Sequence, residues 1–216
     1  MELGYFEVGG RAQGLRMLLH CLKADYKNRF FKNDEEVLAA FQVLRPDFGG
    51  MPYLKDQDFV MSDVKTIAQY VSAKMGRPEM MGKSGVDRAK HLELLGVLSD
   101  LEEMLFKVIS AQGEHRQLYD SLEAVINYKV AKLGRFLGDK GFLLGYFTFA
   151  DIETFCFLEI LDRATRRLGK GSLFDREKNL KAHADRVRSL EGVRDFLESG
   201  LGRLLTMPGY MNSLGV

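Results

Sequence analysis

A phenol, two glycines and an arginine stand close together near the start of the chain, in Tyr5-Phe6-Glu7-Val8-Gly9-Gly10-Arg11-Ala12-Gln13-Gly14-Leu15-Arg16. A hydroxyl at the end of a strand, glycines that let a ligand approach the main chain, and a cation opening a helix are the makings of an anion site. Read alone, the tyrosine serves as well to pack its ring under a sheet edge, and Arg11 to sit solvated in a first helical turn. Other reactive groups are dispersed. His20, His91, His115 and His183 show neither metal-ligand nor triad spacing, so no metal is expected. Cys21 and Cys156 both fall in apolar helical patterns without a Cys or His at ligand spacing. They read as buried free thiols of a cytosolic protein.

The elements that must position the tyrosine follow in order. Residues 3–8 are short, aromatic and stopped by the glycine pair, which predicts a strand. Residues 12–22 carry Leu15, Leu18, Leu19 and Leu22 at helical spacing, and 25–31 read as a second strand. A right-handed crossover would set the two strands parallel. Three acids from Asp34 onward predict a short helix over 34–41, and the breaker-rich residues 44–50 a loop. Residues 51–55 and 59–61, either side of Asp56-Gln57-Asp58, predict a hairpin. Ser62 or Asp63 then caps a helix with Val64, Ile67, Ala68 and Val71 on one face. The order β-α-β-α-β-β-α describes a small α/β domain on a mixed sheet.

After Met75-Gly76-Arg77-Pro78 the strand signal ends. Long helical patterns cover 86–111, 118–137 and 149–168, the last with an unusually apolar centre, and shorter ones 179–189 and 192–204. From Met207 the tail is irregular. Two domains are therefore expected, 1–79 α/β and 80–216 all-helical. Of the 216 residues 46% are hydrophobic and 28% charged, an ordinary globular balance. With 31 basic against 30 acidic side chains no overall field would recruit nucleic acid. No apolar run approaches the ~18 residues of a membrane span, and the opening lacks the pattern of a signal or transit peptide. A cytoplasmic location with neither nucleic acid nor membrane as partner is the expectation.

Several motifs resemble the cytosolic glutathione transferases along nearly the whole chain. The opening from Tyr5 to Arg16 is similar to the Tyr-Phe-Asn-x-x-Gly-Arg-(Ala/Met)-Glu-x-x-Arg opening of the sigma and alpha classes. Met51-Pro52-Tyr53-Leu54 resembles the family's x-Pro-x-Leu, in which the proline is cis, and Thr148-Phe149-Ala150-Asp151 its Ser/Thr-x-x-Asp capping box. Residues 180–187 lead into Gly192-Val193-Arg194 in the family manner. The short segment before the hairpin favours a sigma-like over a mu-like chain. The resemblance implies an N-terminal thioredoxin-like domain with a mixed four-stranded sheet, followed by an all-α helical bundle.

It also implies a glutathione transferase, conjugating the glutathione thiolate to small, mostly apolar electrophiles. Glutathione is then a co-substrate and no cofactor is needed. A free thiol with a pKa of ~8.5 is mostly protonated at neutral pH, and a hydroxyl donated to sulfur favours the charged form. Tyr5 stands where the family places that hydroxyl, with Arg11 adding charge and Arg16 tying the helix to nearby carboxylates. Phe6, Gly50, Met51 and Pro52 would line the glutathione site, Met51 through its main chain, with Arg45 the cation near the glycyl end. At the γ-glutamyl end an ungapped count puts Asp63-Val64 where the family has Gln/Glu-Ser; a one-residue slip would put Ser62-Asp63 there. Asp100 falls where some classes send an acid across a dimer interface, although alone it reads as a solvated helix face. Phe48 resembles the aromatic that locks into a partner subunit, which implies a homodimer; alone it reads as a loop residue folded onto its own core. Phe106, Ser110, Met207 and Tyr210 would border the second substrate. Two alternatives remain: a catalytically weak or inactive structural subunit, which would belong to a larger assembly, and a glutathione-dependent isomerase or peroxidase.

Overall fold

The structure is a computed structural model that describes residues 1–111 and 113–203. It divides into two compact units, Met1–Met80 with the residues from Glu191, and the residues from Met81 to Leu190.

In the first unit four strands, β1 (Glu2–Phe6), β2 (Lys27–Phe31), β3 (Tyr53–Asp56) and β4 (Phe59–Ser62), form one sheet in the order β2-β1-β3-β4. β1 and β2 are parallel, as the crossover through α1 (Gln13–Cys21) requires; β1/β3 and β3/β4 are antiparallel. β1 stops two residues short of the expected end. The carbonyls of Phe6, Val8 and Gly9 turn instead to the Arg16 guanidinium. α2 (Asp34–Leu44) runs three residues beyond the reading, capped by Asn33, whose side chain accepts the Glu36 N–H at 3.0 Å.

Alternation along β1 separates its side chains. Phe6 joins the buried cluster of Phe31, Val37, Ala40 and Tyr53 under α2, and Tyr5 lies with Arg16 of α1. Gly4 is the residue that lets the Tyr53 ring cross the sheet, since a Cβ there would meet the ring at 2.0 Å. α3 (Val64–Lys74) packs on α1 through Ile67, Ala68 and Val71. α9 (Glu191–Glu198) packs on α1 as well, with Phe196 edge-on to His20 at 5.7 Å. Cys21 and Cys156 are free; Cys156 is buried as expected, whereas Cys21, at the end of α1, is only half-buried, and desolvation pushes its thiol up to about 12.

The second unit is helical: α4 (Gly85–Ser110), α5 (His115–Leu137), α6 (Phe149–Arg167), α7 (Leu173–Arg176) and α8 (Lys178–Ser189). α6 is buried on most sides, as its apolar centre predicts, and packs on α4 and α8. Its first turn is closed by the Thr148/Asp151 capping box and by His91 of α4, whose Nε2 accepts the Ala150 N–H at 3.1 Å. Burial lowers the His91 pKa to about 4, against the raising influence of Asp151. Protonation would replace the acceptor by a second donor facing Ala150. The unfolded imidazole, with a pKa of ~6.5, takes its proton first as pH falls, so stability is complete above that value and declines towards pH 4. A loss of about 2 kcal/mol between pH 7 and pH 5 is expected in urea titrations, and His91→Gln should flatten that pH dependence.

Candidate functional site

The end of β1 carries the hydroxyl that the opening residues promised. Tyr5 is only 6% exposed, its ring edge-on to Phe6 with centroids 5.6 Å apart. The main chain folds back over the phenol at Gly10, where φ is +46° and a Cβ would lie 2.9 Å from the hydroxyl oxygen. Gly10 opens a 3-10 turn, Gly10–Ala12, and its carbonyl accepts the Gln13 N–H. A trans peptide sets C=O and N–H in opposite directions, so the Arg11 N–H points back and donates to Tyr5 Oη at 3.4 Å. Among the described residues nothing accepts the proton of Tyr5 itself. A phenol oxygen that receives a donor and keeps its own proton free is arranged to donate to an anion. The Arg11 side chain is exposed.

Arg16 corrects the sequence reading. It is fully buried, and it holds carbonyl oxygens and an amide rather than carboxylates: Nη1 donates to Val8 O at 2.6 Å, Nη2 to Phe6 O at 3.2 Å, and Nε to Asn28 Oδ1 at 3.1 Å. Burial lowers its pKa to about 10, which still leaves it charged at neutral pH. Asn28 and Tyr26, which face this charge, drew no attention in the sequence because β2 lies on the far side of a helix from β1 in chain order.

Strand register gathers the next residues. The β1/β3 ladder ends with Gly4 opposite Tyr53 and the β3/β4 ladder with Tyr53 opposite Ser62. Tyr5, Pro52 and Asp63 are therefore the residues that stand one step beyond the last rung of these ladders, at the same end of the sheet. The Met51–Pro52 bond is cis. A Cβ on Gly50 would come within 3.0 Å of Ser62 Oγ, so Ser62 closes over that end of the loop. Ser62 itself stays in β4 and α3 begins at Val64.

Asp63, between them, has φ 78° and ψ 131°, a conformation that costs a non-glycine residue about 1–3 kcal/mol. Its Oδ1 accepts from Thr66 N at 2.9 Å and Thr66 Oγ1 at 3.0 Å, capping α3. The Thr66 N–H is thus taken up by Asp63, and the rest of the first turn of α3 offers its N–H groups without a hydroxyl at position 64 and with a carboxylate beside it. Arg45 ends α2 in the left-handed region, φ 49°.

The remaining expected residues do not join this group within the first unit. Phe48 is 93% exposed in the loop after α2, so it is not folded onto its own core. Asp100, on α4, is paired with Lys129 of α5 at 2.6 Å. Phe106 and Ser110 lie on the last turns of α4, where the Ser110 hydroxyl donates to the Phe106 carbonyl at 2.8 Å. Met207 and Tyr210 lie outside the described residues. Among the described residues no three His, Cys, Asp or Glu side chains converge to hold a metal, and no helix is long and apolar enough to cross a membrane.

Comparison with known proteins bears on this arrangement. The family model of the glutathione S-transferase C-terminal domain matches residues 99–200. Glutathione S-transferase 2 of Gallus gallus is 26% identical over 214 residues, covering 93% of this chain and 90% of the relative. Glutathione S-transferase Mu 5 of Rattus norvegicus is 25% identical over 216 residues, covering 96% and 91%. Among solved structures, the glutathione S-transferase Blo t 8 superposes with a TM-score of 0.81 at 21% identity, covering 94% of each chain, which bears on the fold alone. Matches that span both the sheet unit and the helical unit, in the expected order, support one family for this chain, the cytosolic glutathione transferases.

Proposed function

We propose that the protein conjugates the thiol of glutathione to small, mostly apolar electrophiles, as a sigma-like homodimer in the cytoplasm, with residues 1–79 as the glutathione-binding domain. The observation that carries this reading is the Tyr5 hydroxyl, which accepts the Arg11 N–H and so keeps its own proton for sulfur. Donation from Tyr5 favours the thiolate over the thiol. The thiolate sulfur then attacks an electrophilic carbon, forming a C–S bond as the leaving group departs with the bond's electron pair. Phe6, Gly50, Met51 and Pro52 would flank the cysteinyl unit, Arg45 the glycyl end, and Asp63 and the Val64 N–H the γ-glutamyl end. Asp100 and Phe48 would act at the dimer interface, and Phe106, Ser110, Met207 and Tyr210 around the electrophile.

Asp63 and Val64 favour a second reading, a structural subunit with weak turnover. The γ-glutamyl carboxylate would meet no hydroxyl at position 64 and a negative charge at 63. Calorimetry with glutathione, and conjugation of a chloronitrobenzene, on wild type and Val64→Ser separates the two. Replacing valine by serine should tighten glutathione binding about tenfold, since a hydrogen bond to a charged group is worth about 1.5 kcal/mol. Binding and turnover in wild type support the transferase. Their absence in wild type with recovery in Val64→Ser supports the structural subunit. Absence in both overturns the glutathione site.

A further inference from the structure

The buried guanidinium of Arg16 makes four hydrogen bonds, and no step of the proposed reaction uses it. Besides its bonds to Val8, Phe6 and Asn28, Nη1 lies 3.4 Å from Gly9 O, so three carbonyls between Phe6 and Gly9 are drawn to one cation. Its carbon sits 5.3 Å from the Phe30 ring centroid and 5.9 Å from that of Tyr5, in cation–π range of both. Tyr26 and Tyr5 are the two phenols whose fields act on it. The charge is thus confined between two strands, one loop and the ring of the residue proposed to activate sulfur.

The loop geometry explains what that confinement does. With the Phe6, Val8 and Gly9 carbonyls turned inward to Arg16, and the Gly10 carbonyl engaged by the Gln13 N–H, every acceptor from Phe6 to Gly10 apart from that of Glu7 has a fixed direction. The Gly10–Arg11 peptide then has one orientation, N–H towards Tyr5 Oη. Release of the Gly9 carbonyl would free the Gly9–Gly10 peptide, and with it the path by which the chain brings the Gly10–Arg11 peptide over the phenol. The phenol oxygen would lose its donor, and with it the polarisation that strengthens the phenol as a donor to sulfur.

We propose that Arg16 is the positioning residue of the thiolate site, acting through the β1–α1 loop to hold the Arg11 amide on Tyr5, so that the Tyr5 proton is directed to the thiol. This rests on the reading of Tyr5 as thiolate donor. Arg16 touches neither glutathione nor the electrophile; its effect on chemistry passes through the Arg11 amide and the Tyr5 hydroxyl.

The test uses the full chain in two arms, with Arg16→Lys, Asn28→Ala, Tyr5→Phe and the double variant Arg16→Lys/Tyr5→Phe. Lysine keeps the charge and loses the fork that spans several carbonyls. Asn28→Ala removes the brace on Nε and leaves the loop bonds, so it covers the case in which Arg16→Lys fails to fold. In the ligand-free arm, NMR of the Arg11 amide should show faster exchange and a shifted resonance in Arg16→Lys, as in Tyr5→Phe, and a smaller change in Asn28→Ala. An Arg11 amide unchanged in the folded Arg16 and Asn28 variants overturns the proposal without reference to any ligand.

In the glutathione arm the pH titration of the bound thiolate, followed by its ultraviolet absorbance, should move up by about one unit in Arg16→Lys, with kcat down about tenfold and the glutathione Kd within about threefold of wild type. Once Tyr5 is phenylalanine, Arg16→Lys should cause no further shift. An equal further shift in the double variant means that Arg16 acts independently of Tyr5 and overturns the proposal. A titration that moves in Tyr5→Phe and stays in place in the folded Arg16 and Asn28 variants overturns it too, while the thiolate reading survives. A titration unmoved by Tyr5→Phe overturns both.

Discussion

Asp151→Ala is expected to cost the protein about 3–5 kcal/mol. The carboxylate is fully buried and accepts from four donors on three segments: Thr148 N at 2.8 Å, Thr148 Oγ1 at 2.9 Å, Leu143 N at 2.9 Å and His183 Nε2 at 2.9 Å. Truncation to a methyl group leaves all four without an acceptor in a place water does not reach, and each orphaned donor costs about 1–3 kcal/mol before relaxation. His183 is the worst placed, because its Nδ1 is already buried without a partner. Asp151→Asn keeps the volume and returns one acceptor, so it should lose roughly half as much. Urea unfolding followed by circular dichroism measures both; a loss below about 1 kcal/mol for Asp151→Ala would show that the four bonds are not needed.

Legibility followed chain distance. The capping box Thr148-x-x-Asp151 could be read because its members lie within one turn. The partners that make Asp151 structural, Leu143 and His183, stand 8 and 32 residues away, and nothing in spacing tied His183 or His91 to it. These histidines read as scattered residues and proved to converge on a single helix start.

The same limit applies at the candidate site. Strand order and the end of the sheet holding Tyr5, Pro52 and Asp63 follow from the β-α-β and hairpin patterns, because register is a local property of each pair. The early stop of β1 does not, since it depends on a guanidinium six residues beyond the glycine pair that competes for ladder carbonyls. Nor does the backbone of Asp63, whose φ of 78° is imposed by the turn from β4 into α3 rather than by its own preference. The valine at position 64, in contrast, is visible by counting alone, since the hairpin carries no insertion.

Tyr5→Phe should lower kcat/KM for a chloronitrobenzene about 30–160-fold at neutral pH while glutathione binding changes by less than about threefold. The substitution removes one hydroxyl from a ring that stays packed on Phe6 and Arg16, so the β1–α1 loop keeps its carbonyl bonds and only the Arg11 N–H loses its acceptor. A hydrogen bond to a charged sulfur is worth about 2–3 kcal/mol, which fixes the range. The sign of the pH dependence follows from the same bond. If Tyr5 stabilises the thiolate, its loss raises the apparent pKa of the bound thiol towards ~8.5, so the deficit is greatest at pH 6–7 and narrows as pH rises past that value. A deficit constant with pH would mean that the hydroxyl stabilises the transition state after ionisation. Full activity in the variant would leave Tyr5 as a sheet-edge residue that shares a hydrogen bond with its own loop.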